Sequence, residues 1–320
     1  MAGVLLSVVV PMYNEEEAVA PLVARLRPAL DQIGPDYEVI AVDDGSGDGT
    51  VDLLGGLATA WPQLTIVRLR RNAGHQPALT AGLRASQGDF VVSIDADLQD
   101  PPEKIEEMLT LARQDGLDVV YGVRDDRASD TMFKRLTAGA YYRVMRRLVG
   151  SWVPRHAGDF RLLSRAALTT LLALPERQPV YRLLVPSLGF PSGQVTYARE
   201  ARIAGTTKYP LGKMVRLGLD SITSFSSAPL RLASLAGFVT LALCLLLVVF
   251  GLVAFFAGVA VPGWTSVFVA VLLLGAIQLL SIGLLGEYVA RLYTAAQNRP
   301  SYYITEDAEV PKPTRMSVNV

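Results

Sequence analysis

Short apolar runs and amphipathic stretches alternate along the first part of the chain. The runs are rich in Val and Ile and have the length of buried strands. Between them, apolar residues recur at helical spacing, as at Ala18, Leu22 and Leu26. This alternation predicts an α/β fold with right-handed crossovers, in which helices cover both faces of a mostly parallel sheet. The predicted strands are Val4–Val10, Tyr37–Val42, Thr65–Leu69, Phe90–Ile94 and Asp118–Tyr121.

The later part of the chain contains one long window without charge. No Asp, Glu, Lys or Arg occurs from Leu232 to Gly286, a length more than twice the roughly 20 residues of one transmembrane helix. Since the window breaks at Pro262-Gly263, we predict a hairpin of two spans, 232–258 and 264–286. Lys and Arg occur on both flanks, so the positive-inside rule predicts that both ends are cytoplasmic. The alternative is a buried helical hairpin in a soluble protein.

These patterns divide the chain into a cytoplasmic α/β domain, residues 1–209, and a membrane anchor. Residues 210–231 repeat apolar positions at helical spacing and predict a juxtamembrane helix in the headgroup region. The basic stretch 133–148 has similar spacing, and an interfacial helix and an ordinary surface helix fit it equally well. Residues 287–320 are the predicted cytoplasmic tail. No secretory signal is visible at the start of the chain, so we expect a two-span protein of the plasma membrane.

Composition narrows the functional classes. The chain carries 30 basic and 30 acidic side chains, and this zero net charge gives no general attraction to nucleic acid. One cysteine, Cys244, excludes a disulfide framework. With only two histidines, a zinc site would need carboxylates for most of its ligands. Small residues in the first span leave a homo-oligomer open; they are Gly237, Gly251 and Gly258.

An acidic, glycine-rich turn, Asp43–Thr50, follows the predicted strand that ends at Val42. Such a turn can accept hydrogen bonds from a ribose or base, and its glycines allow close backbone approach. Its spacing excludes a dinucleotide fingerprint, which needs glycine where Thr50 stands, and an EF-hand, which needs glutamate where Gly55 stands. A P-loop would need a lysine that is absent. A plain Asp/Gly turn stays an alternative.

A second acidic turn follows the predicted strand Phe90–Ile94. Asp95 and Asp97 flank one small residue, and Gln99 adds an amide oxygen. Hard cations such as Mg²⁺ or Mn²⁺ take oxygen ligands, usually one or two carboxylates together with substrate phosphates. Pro101 and Pro102 then end the strand and precede a helix. Combined with the first acidic turn, this segment predicts a divalent-cation site at the carboxyl edge of the sheet.

Several motifs follow one another in an order that one known family shares. They are the segments Val10–Glu16, Asp43–Thr50, Asn72–Leu79, Asp95–Pro102, Gly122–Arg124, Gly158–Leu162, Arg202–Tyr209 and Gly286–Pro300. Together they resemble the family 2 glycosyltransferases of the GT-A fold, a Rossmann-like architecture. The branch they resemble transfers a sugar to a polyprenyl phosphate and includes dolichyl-phosphate mannose synthases and bacterial undecaprenyl-phosphate glycosyltransferases with two C-terminal spans. The resemblance covers almost the whole chain.

By position, the resemblance implies several groups of site residues. The nucleoside of a sugar-nucleotide donor would be held by Pro11, Tyr13, Glu15, Val42 and Asp44. Its phosphates and sugar would be contacted by Asp95, Ala96, Asp97 and Arg124, and Mg²⁺ or Mn²⁺ would be bound by Asp95, Asp97 and Gln99. The pyrophosphate or the acceptor phosphate would be covered by Arg202 and Lys208. Two segments depart from the family pattern and bear on the identity of the sugar: Thr206-Thr207 and Arg182-Leu183-Leu184.

The implied reaction is metal-dependent, inverting transfer of one sugar from a UDP- or GDP-sugar to undecaprenyl or dolichyl phosphate at the cytoplasmic face. A lipid monophosphate is already anionic at neutral pH and needs no strong general base. Asp159, after an expected turn at Gly158, is the predicted third catalytic carboxylate beside Asp95 and Asp97. It would act as a base or orient the acceptor, and a helix cap is the alternative. For His75 we favour a helix-start or structural hydrogen bond.

Two other functions stay open. A processive polysaccharide synthase of the same superfamily should show more spans and a Gln-x-x-Arg-Trp stretch, and the sequence has neither. A non-catalytic membrane scaffold that binds a nucleotide sugar would not need Asp95 and Asp97, and both are present. Glucose, mannose, an amino sugar and a modified pentose all stay open as the transferred sugar.

Overall fold

A computed structural model describes residues 5–125, 157–176, 179–198, 228–258, 263–297 and 299–305 of the chain. The chain divides into two compact units, one made of residues 1–208 and 300–320 and the other of residues 209–299. The predicted interfacial stretch 133–148 and most of the juxtamembrane stretch 210–231 lie outside the described residues.

A mixed sheet of seven strands forms the centre of the first unit. The strands are β1 (Leu6–Met12), β2 (Tyr37–Asp43), β3 (Leu64–Arg68), β4 (Phe90–Ser93), β5 (Val119–Arg124), β6 (Ala157–Ser164) and β7 (Ser192–Tyr197). Their order across the sheet is β3-β2-β1-β4-β6-β5-β7. All neighbours pair in parallel except β6, which runs antiparallel between β4 and β5. The prediction of an α/β fold with a mostly parallel sheet is confirmed.

Helices follow the strands and pack their apolar stripes against the sheet. In the described part of the first unit they are α1 (Glu16–Ile33), α2 (Thr50–Ala60), α3 (His75–Ala85), α4 (Lys104–Asp115), α5 (Arg165–Ala173) and α6 (Tyr181–Ser187). The spacing of Ala18, Leu22 and Leu26 correctly predicts the buried face of α1. Helix α3 packs especially close, because a Cβ on Gly82 would lie 2.3 Å from Cγ1 of Val9. This contact fixes α3 against β1.

The first strand extends further than its apolar run predicts. It was expected to end at Val10, but β1 continues through Pro11 to Met12. Proline lacks a backbone donor and is poorly tolerated where both neighbours need one. Here the pairing of β1 with β4 ends at Val9, and Pro11 pairs only with Val42 of β2. The strand can therefore carry Pro11 toward the carboxyl edge of the sheet.

The largest departure from the sequence prediction is strand β6. We expected Gly158 in a turn, with a helix cap as the alternative for Asp159, but both residues lie within β6. Phe160 and Leu162 are fully buried, and Leu162 pairs with Val92 of β4 and Val120 of β5. The expectation of a turn was wrong because two charged residues interrupt the apolar run that would have marked the strand.

Residues 303–305 lie along the edge of the sheet beside β3. Ile304 forms an antiparallel bridge with Leu69, just beyond β3. The backbone N–H of Arg70 donates to the Tyr303 carbonyl at 2.8 Å, and the N–H of Thr305 donates to the Arg68 carbonyl at 2.9 Å. This part of the predicted tail therefore pairs with the first unit.

The described part of the second unit consists of two long helices, α7 (Ala228–Phe256) and α8 (Trp264–Ala296). Among the described residues, one helical stretch, Leu273–Ala296, is long and apolar enough to cross a membrane. Helix α8 extends ten residues beyond the span predicted to end at Gly286. An i,i+4 ion pair of 2.9 Å joins Glu287 and Arg291 in this extension and favours the helix.

Candidate active site

Polar segments gather at the carboxyl ends of β1, β2 and β4. Open α/β sheets bind ligands at this edge, in the crevice where the strand order reverses direction. The turns after β1 and β2 are joined directly. The N–H of Asn14 donates to Oγ of Ser46 at 2.9 Å, and the N–H of Gly47 donates to Oδ1 of Asn14 at 2.9 Å. Asn14 itself lies in the left-handed region with φ of 52°, which asparagine tolerates better than most residues.

The structure places the predicted nucleoside-binding residues along this edge. Pro11 and Val42 are buried register partners at the ends of β1 and β2. Tyr13 is exposed, and the backbone N–H of Glu15 donates to Oγ1 of Thr50 at 3.0 Å. Pro11 and Val42 therefore lie at this edge in neighbouring strands, and Tyr13 and Glu15 lie in the segment that follows β1.

The Asp44 carboxylate hydrogen-bonds to the backbone of the protein itself. Its two oxygens accept hydrogen bonds from the N–H groups of Ala73 and Gly74 at 2.7 and 2.8 Å. Burial raises the pKa of Asp44 above its ordinary value, although these two bonds act in the opposite direction. The following Gly45 has φ of 70°, and a Cβ there would come within 2.7 Å of the Arg71 backbone. In this structure Asp44 therefore fixes the loop that leads into α3.

The first carboxylate of the second acidic turn is held by a histidine. Nε2 of His75, the first residue of α3, lies 2.9 Å from Oδ1 of Asp95. Burial acts to raise the pKa of Asp95, but the His75 contact and the charges of Arg124 and Arg182 outweigh it and lower the pKa. The pKa of His75 is raised because Asp95 and the nearby charge of Asp159 outweigh its burial. His75 and Asp95 therefore form an ion pair when the imidazole is protonated.

The rest of the acidic turn has an unusual backbone. Leu98 adopts φ of 55°, a conformation that bulky residues rarely adopt and that often occurs at functional sites. The turn closes where the N–H of Gln99 donates to Oδ1 of Asp97 at 3.2 Å. Ala96, between the two aspartates, is buried. Asp95, Asp97 and Gln99 thus lie on one strained turn directly after β4.

Arg124, the last residue of β5, is bound to the end of the same turn. Its Nη2 lies 3.1 Å from Oδ1 of Asp100, and its Nε lies 3.3 Å from the Tyr197 hydroxyl. The Tyr197 hydroxyl also hydrogen-bonds to Asp100. Burial acts to lower the pKa of Arg124, but Asp100 and Tyr197 outweigh it and raise the pKa. Arg124 is therefore a fixed cation at the edge where phosphate binding is predicted.

Asp159 lies in β6, next to the strand that carries the acidic turn. Its carbonyl accepts a hydrogen bond from Oγ of Ser93 at 2.5 Å, and its Oδ1 lies 2.5 Å from Nη2 of Arg161. The structure thus brings Asp159 to the same edge as Asp95. Arg202 and Lys208, the predicted basic residues over the phosphates, lie outside the described residues.

Three site residues were not singled out from the sequence. Asp100 and Tyr197 hold Arg124, and Arg161 holds Asp159. Asp100 belongs to the acidic turn, so its carboxylate was visible but had no separate role. Tyr197 lies far along the chain and carries no local signal.

The acidic turn is the candidate site for a divalent cation. No group of three or more His, Cys, Asp or Glu side chains able to hold a metal occurs within the described residues. The turn after β4 nevertheless offers two carboxylates and one amide oxygen, from Asp95, Asp97 and Gln99. A Mg²⁺ or Mn²⁺ ion that shares its coordination with substrate phosphates needs no more protein ligands than these.

Known proteins resemble this chain over most of its length. Residues 7–172 match the family described as Glycosyl transferase family 2. The uncharacterized glycosyltransferase YkcC of Bacillus subtilis is 42% identical over 301 residues, which cover 93% of this chain and 92% of YkcC. The SfII prophage-derived bactoprenol glucosyl transferase of Shigella flexneri is 36% identical over 300 residues, 93% of this chain and 97% of that protein.

A solved structure supports the fold. Glucosyl-3-phosphoglycerate synthase from Mycobacterium tuberculosis, solved with Mn²⁺, UDP-glucose and phosphoglyceric acid, matches with a TM-score of 0.51 and 23% identity. The match covers 69% of this chain and 78% of that one. Because the family match covers more than half of the chain and the relatives match nearly all of it, the chain belongs to glycosyl transferase family 2 and is a glycosyltransferase.

Proposed function

We propose that this glycosyltransferase moves a single sugar from a UDP- or GDP-sugar to a polyprenyl phosphate at the cytoplasmic face of the plasma membrane. The observation that carries the proposal is the strained turn from Asp95 to Gln99. It combines two carboxylates and an amide oxygen at the ligand-binding edge of the sheet, in a chain with a bactoprenol glucosyl transferase relative of nearly full length.

The donor would bind across the turns after β1, β2 and β4. Tyr13, Glu15 and the neighbouring backbone would contact the nucleoside, while Asp44 keeps the loop before α3 in place. Asp95, Asp97 and Gln99 would hold Mg²⁺ or Mn²⁺, an ion that neutralises charge on the leaving diphosphate when bound. The Mycobacterium enzyme of the same fold was solved with Mn²⁺ and a nucleotide sugar, which is consistent with this assignment.

The acceptor would attack without deprotonation. An oxygen of the lipid phosphate forms a bond to the anomeric carbon from the face opposite the nucleotide, the bond from this carbon to the diphosphate breaks, and the configuration inverts. Two anions have to approach each other for this step, and fixed cations reduce their repulsion. Arg124 is such a cation, since Asp100 and Tyr197 hold it. Arg202 and Lys208 would add to it, and Asp159 would orient the acceptor.

The membrane anchor would be a two-span hairpin formed by α7 and α8. The uncharged window of the sequence and the apolar stretch Leu273–Ala296 support this part of the proposal. A water-insoluble acceptor has its phosphate at the bilayer surface, so an anchored enzyme meets it there. The catalytic domain and the C-terminus would both be cytoplasmic.

The proposal is tested by incubating the purified protein with undecaprenyl phosphate and a panel of labelled UDP- and GDP-sugars. We expect label in the lipid phase, in a product that carries one sugar, with loss of transfer in Asp97→Ala. Asp52→Asn, which alters an exposed carboxylate on α2, is the matched control and should retain activity. A polymeric product would support the processive synthase instead, and donor binding without any transfer would support the scaffold.

A further inference from the structure

Asp159 and Arg161 form a pair of charges inside the first unit. They are two residues apart on β6, so they share one face of that strand. Nη2 of Arg161 lies 2.5 Å from Oδ1 of Asp159 and also donates to the Gly158 carbonyl at 3.1 Å. The Arg161 side chain is only 2% exposed and that of Asp159 16%. The guanidinium is thus withdrawn from water, while the carboxylate keeps limited access.

The pair lies among the residues of the candidate active site. Arg161 is the register partner of Ser93, two residues before Asp95. The charges of Asp95 and Arg182 both act on Arg161, and those of Asp159 and Arg161 both act on His75. The pair therefore belongs to the charge network around the acidic turn.

Stability does not account for this pair. Nε and Nη1 of Arg161 are buried and have no hydrogen-bond partner within the described residues. Burying a guanidinium with unused donors costs free energy, and apolar side chains of similar size often serve a protein core as well or better. A costly group beside an active site is typical of a functional constraint.

The opposite charges of Asp159 and Arg161 matter for the approach of an anionic acceptor. The proposed acceptor is an anion, and it has to approach a turn that already carries Asp95 and Asp97. An unbalanced third carboxylate at Asp159 would repel it further. With Arg161 bound to it, the Asp159 carboxylate keeps its acceptor oxygens but contributes little net charge.

We propose that Arg161 is a positioning residue that fixes the Asp159 carboxylate at the carboxyl edge of β4 and balances its charge against an incoming phosphate. This inference rests on the proposed function, because the phosphate is that of the lipid acceptor. Arg161 need not touch the acceptor, since its effect is transmitted through Asp159.

The test is a double-mutant cycle of Arg161→Met, Asp159→Asn and the combined variant, with KM measured separately for donor and acceptor. We expect Arg161→Met to raise the acceptor KM about tenfold or more through the unbalanced carboxylate, with little change in donor KM. In the combined variant the acceptor KM should return close to the wild-type value. Its kcat should stay as low as that of Asp159→Asn. Arg161→Lys keeps the positive charge, so its acceptor KM should lie closer to the wild-type value than its kcat does.

Arg165→Met is the matched control. Arg165 follows the other end of β6 and donates to the Gly88 carbonyl at 2.9 Å, so its loss should lower thermal stability without separating the two KM values. The inference is wrong if Arg161→Met raises donor and acceptor KM equally, or if the effects of the two substitutions multiply. Wild-type kinetics in Arg161→Met would also overturn it.

Failure of the proposed function gives a different result, namely no glycolipid from the wild-type protein with any donor. Thermal unfolding of the wild type, Arg161→Met, Asp159→Asn and the combined variant tests the pairing independently of activity. The combined variant should unfold no lower than Arg161→Met alone, because it leaves no unpaired, partly buried carboxylate. A lower unfolding temperature for the combined variant would show that the two residues do not act as a pair.

Discussion

Nε2 of His75 lies 2.9 Å from Oδ1 of Asp95, although twenty residues separate them in the sequence. The histidine begins α3, and α3 is pressed against β1 at Gly82. The aspartate begins the turn after β4, the other neighbour of β1. The helix that packs on the sheet therefore determines where the first carboxylate of the acidic turn can lie.

Replacing His75 tests this coupling. We expect His75→Ala to lower kcat/KM about 10- to 100-fold, because a hydrogen bond to a charged group contributes about 1.5–3 kcal/mol. His75→Gln, which can still donate to Asp95, should lose less. The measurement is steady-state transfer to lipid. Equal losses in the two variants would contradict a role through the hydrogen bond to Asp95.

Metal removal tests the oxygen ligands of the acidic turn. We expect chelation with EDTA to abolish sugar transfer and added Mg²⁺ or Mn²⁺ to restore it, since two carboxylates and an amide suit such ions. Gln99→Ala should raise the metal concentration needed for half-maximal activity about tenfold or more, because even residues that only orient a metal ligand contribute about 10- to 100-fold to metal affinity. The control is Asp52→Asn, whose metal dependence should match the wild type. Full activity in EDTA would exclude a dissociable metal from the reaction.

Asp44 should matter for stability as well as for activity. Asp44→Ala removes the acceptor for two half-buried N–H groups, Ala73 and Gly74, and should cost about 2–4 kcal/mol. The corresponding fall in unfolding temperature is about 5–10 °C. Asp44→Asn can keep one of the two bonds, so its unfolding temperature should lie between those of the wild type and Asp44→Ala. Differential scanning of the detergent-solubilised protein measures this, and an unchanged unfolding temperature in Asp44→Ala would contradict the structural role.

The cluster around Arg124 predicts an ordered series of effects. Asp100→Ala leaves the half-buried Arg124 without its carboxylate and should cost about 3–5 kcal/mol. Tyr197→Phe removes hydrogen bonds but keeps the edge-on contact with Phe160, whose ring lies 5.7 Å away, and should cost about 1 kcal/mol. Thermal unfolding again supplies the comparison. A larger loss in Tyr197→Phe than in Asp100→Ala would contradict the assignment.

The sequence predicted the elements whose pattern is local. The apolar runs predicted β1 to β5 closely, and the polar turns after β1, β2 and β4 predicted the edge at which the site lies. Asp95, Asp97 and Gln99 were predicted as metal ligands because they occur together in one turn, and this stays a prediction. The comparisons confirm the family that these segments resemble.

Other features depend on contacts that no local pattern shows. Strand β6 was missed because Asp159 and Arg161 interrupt its apolar run, and these are the residues that its position brings to the site. Opposite charges at i and i+2 would have predicted their pairing had the strand been recognised. The His75–Asp95 contact follows from the packing of α3, and Tyr197 reaches Arg124 only because β7 pairs with β5.

The bridge between Ile304 and Leu69 has a consequence for handling the protein. β3 is the outermost strand on its side of the sheet, and its free edge would offer backbone groups to any strand of another molecule. The segment 303–305 occupies part of that edge with hydrogen bonds from the same chain. A truncated version that ends at Ala296 would therefore tend to self-associate, even though every residue of the acidic turn had been kept.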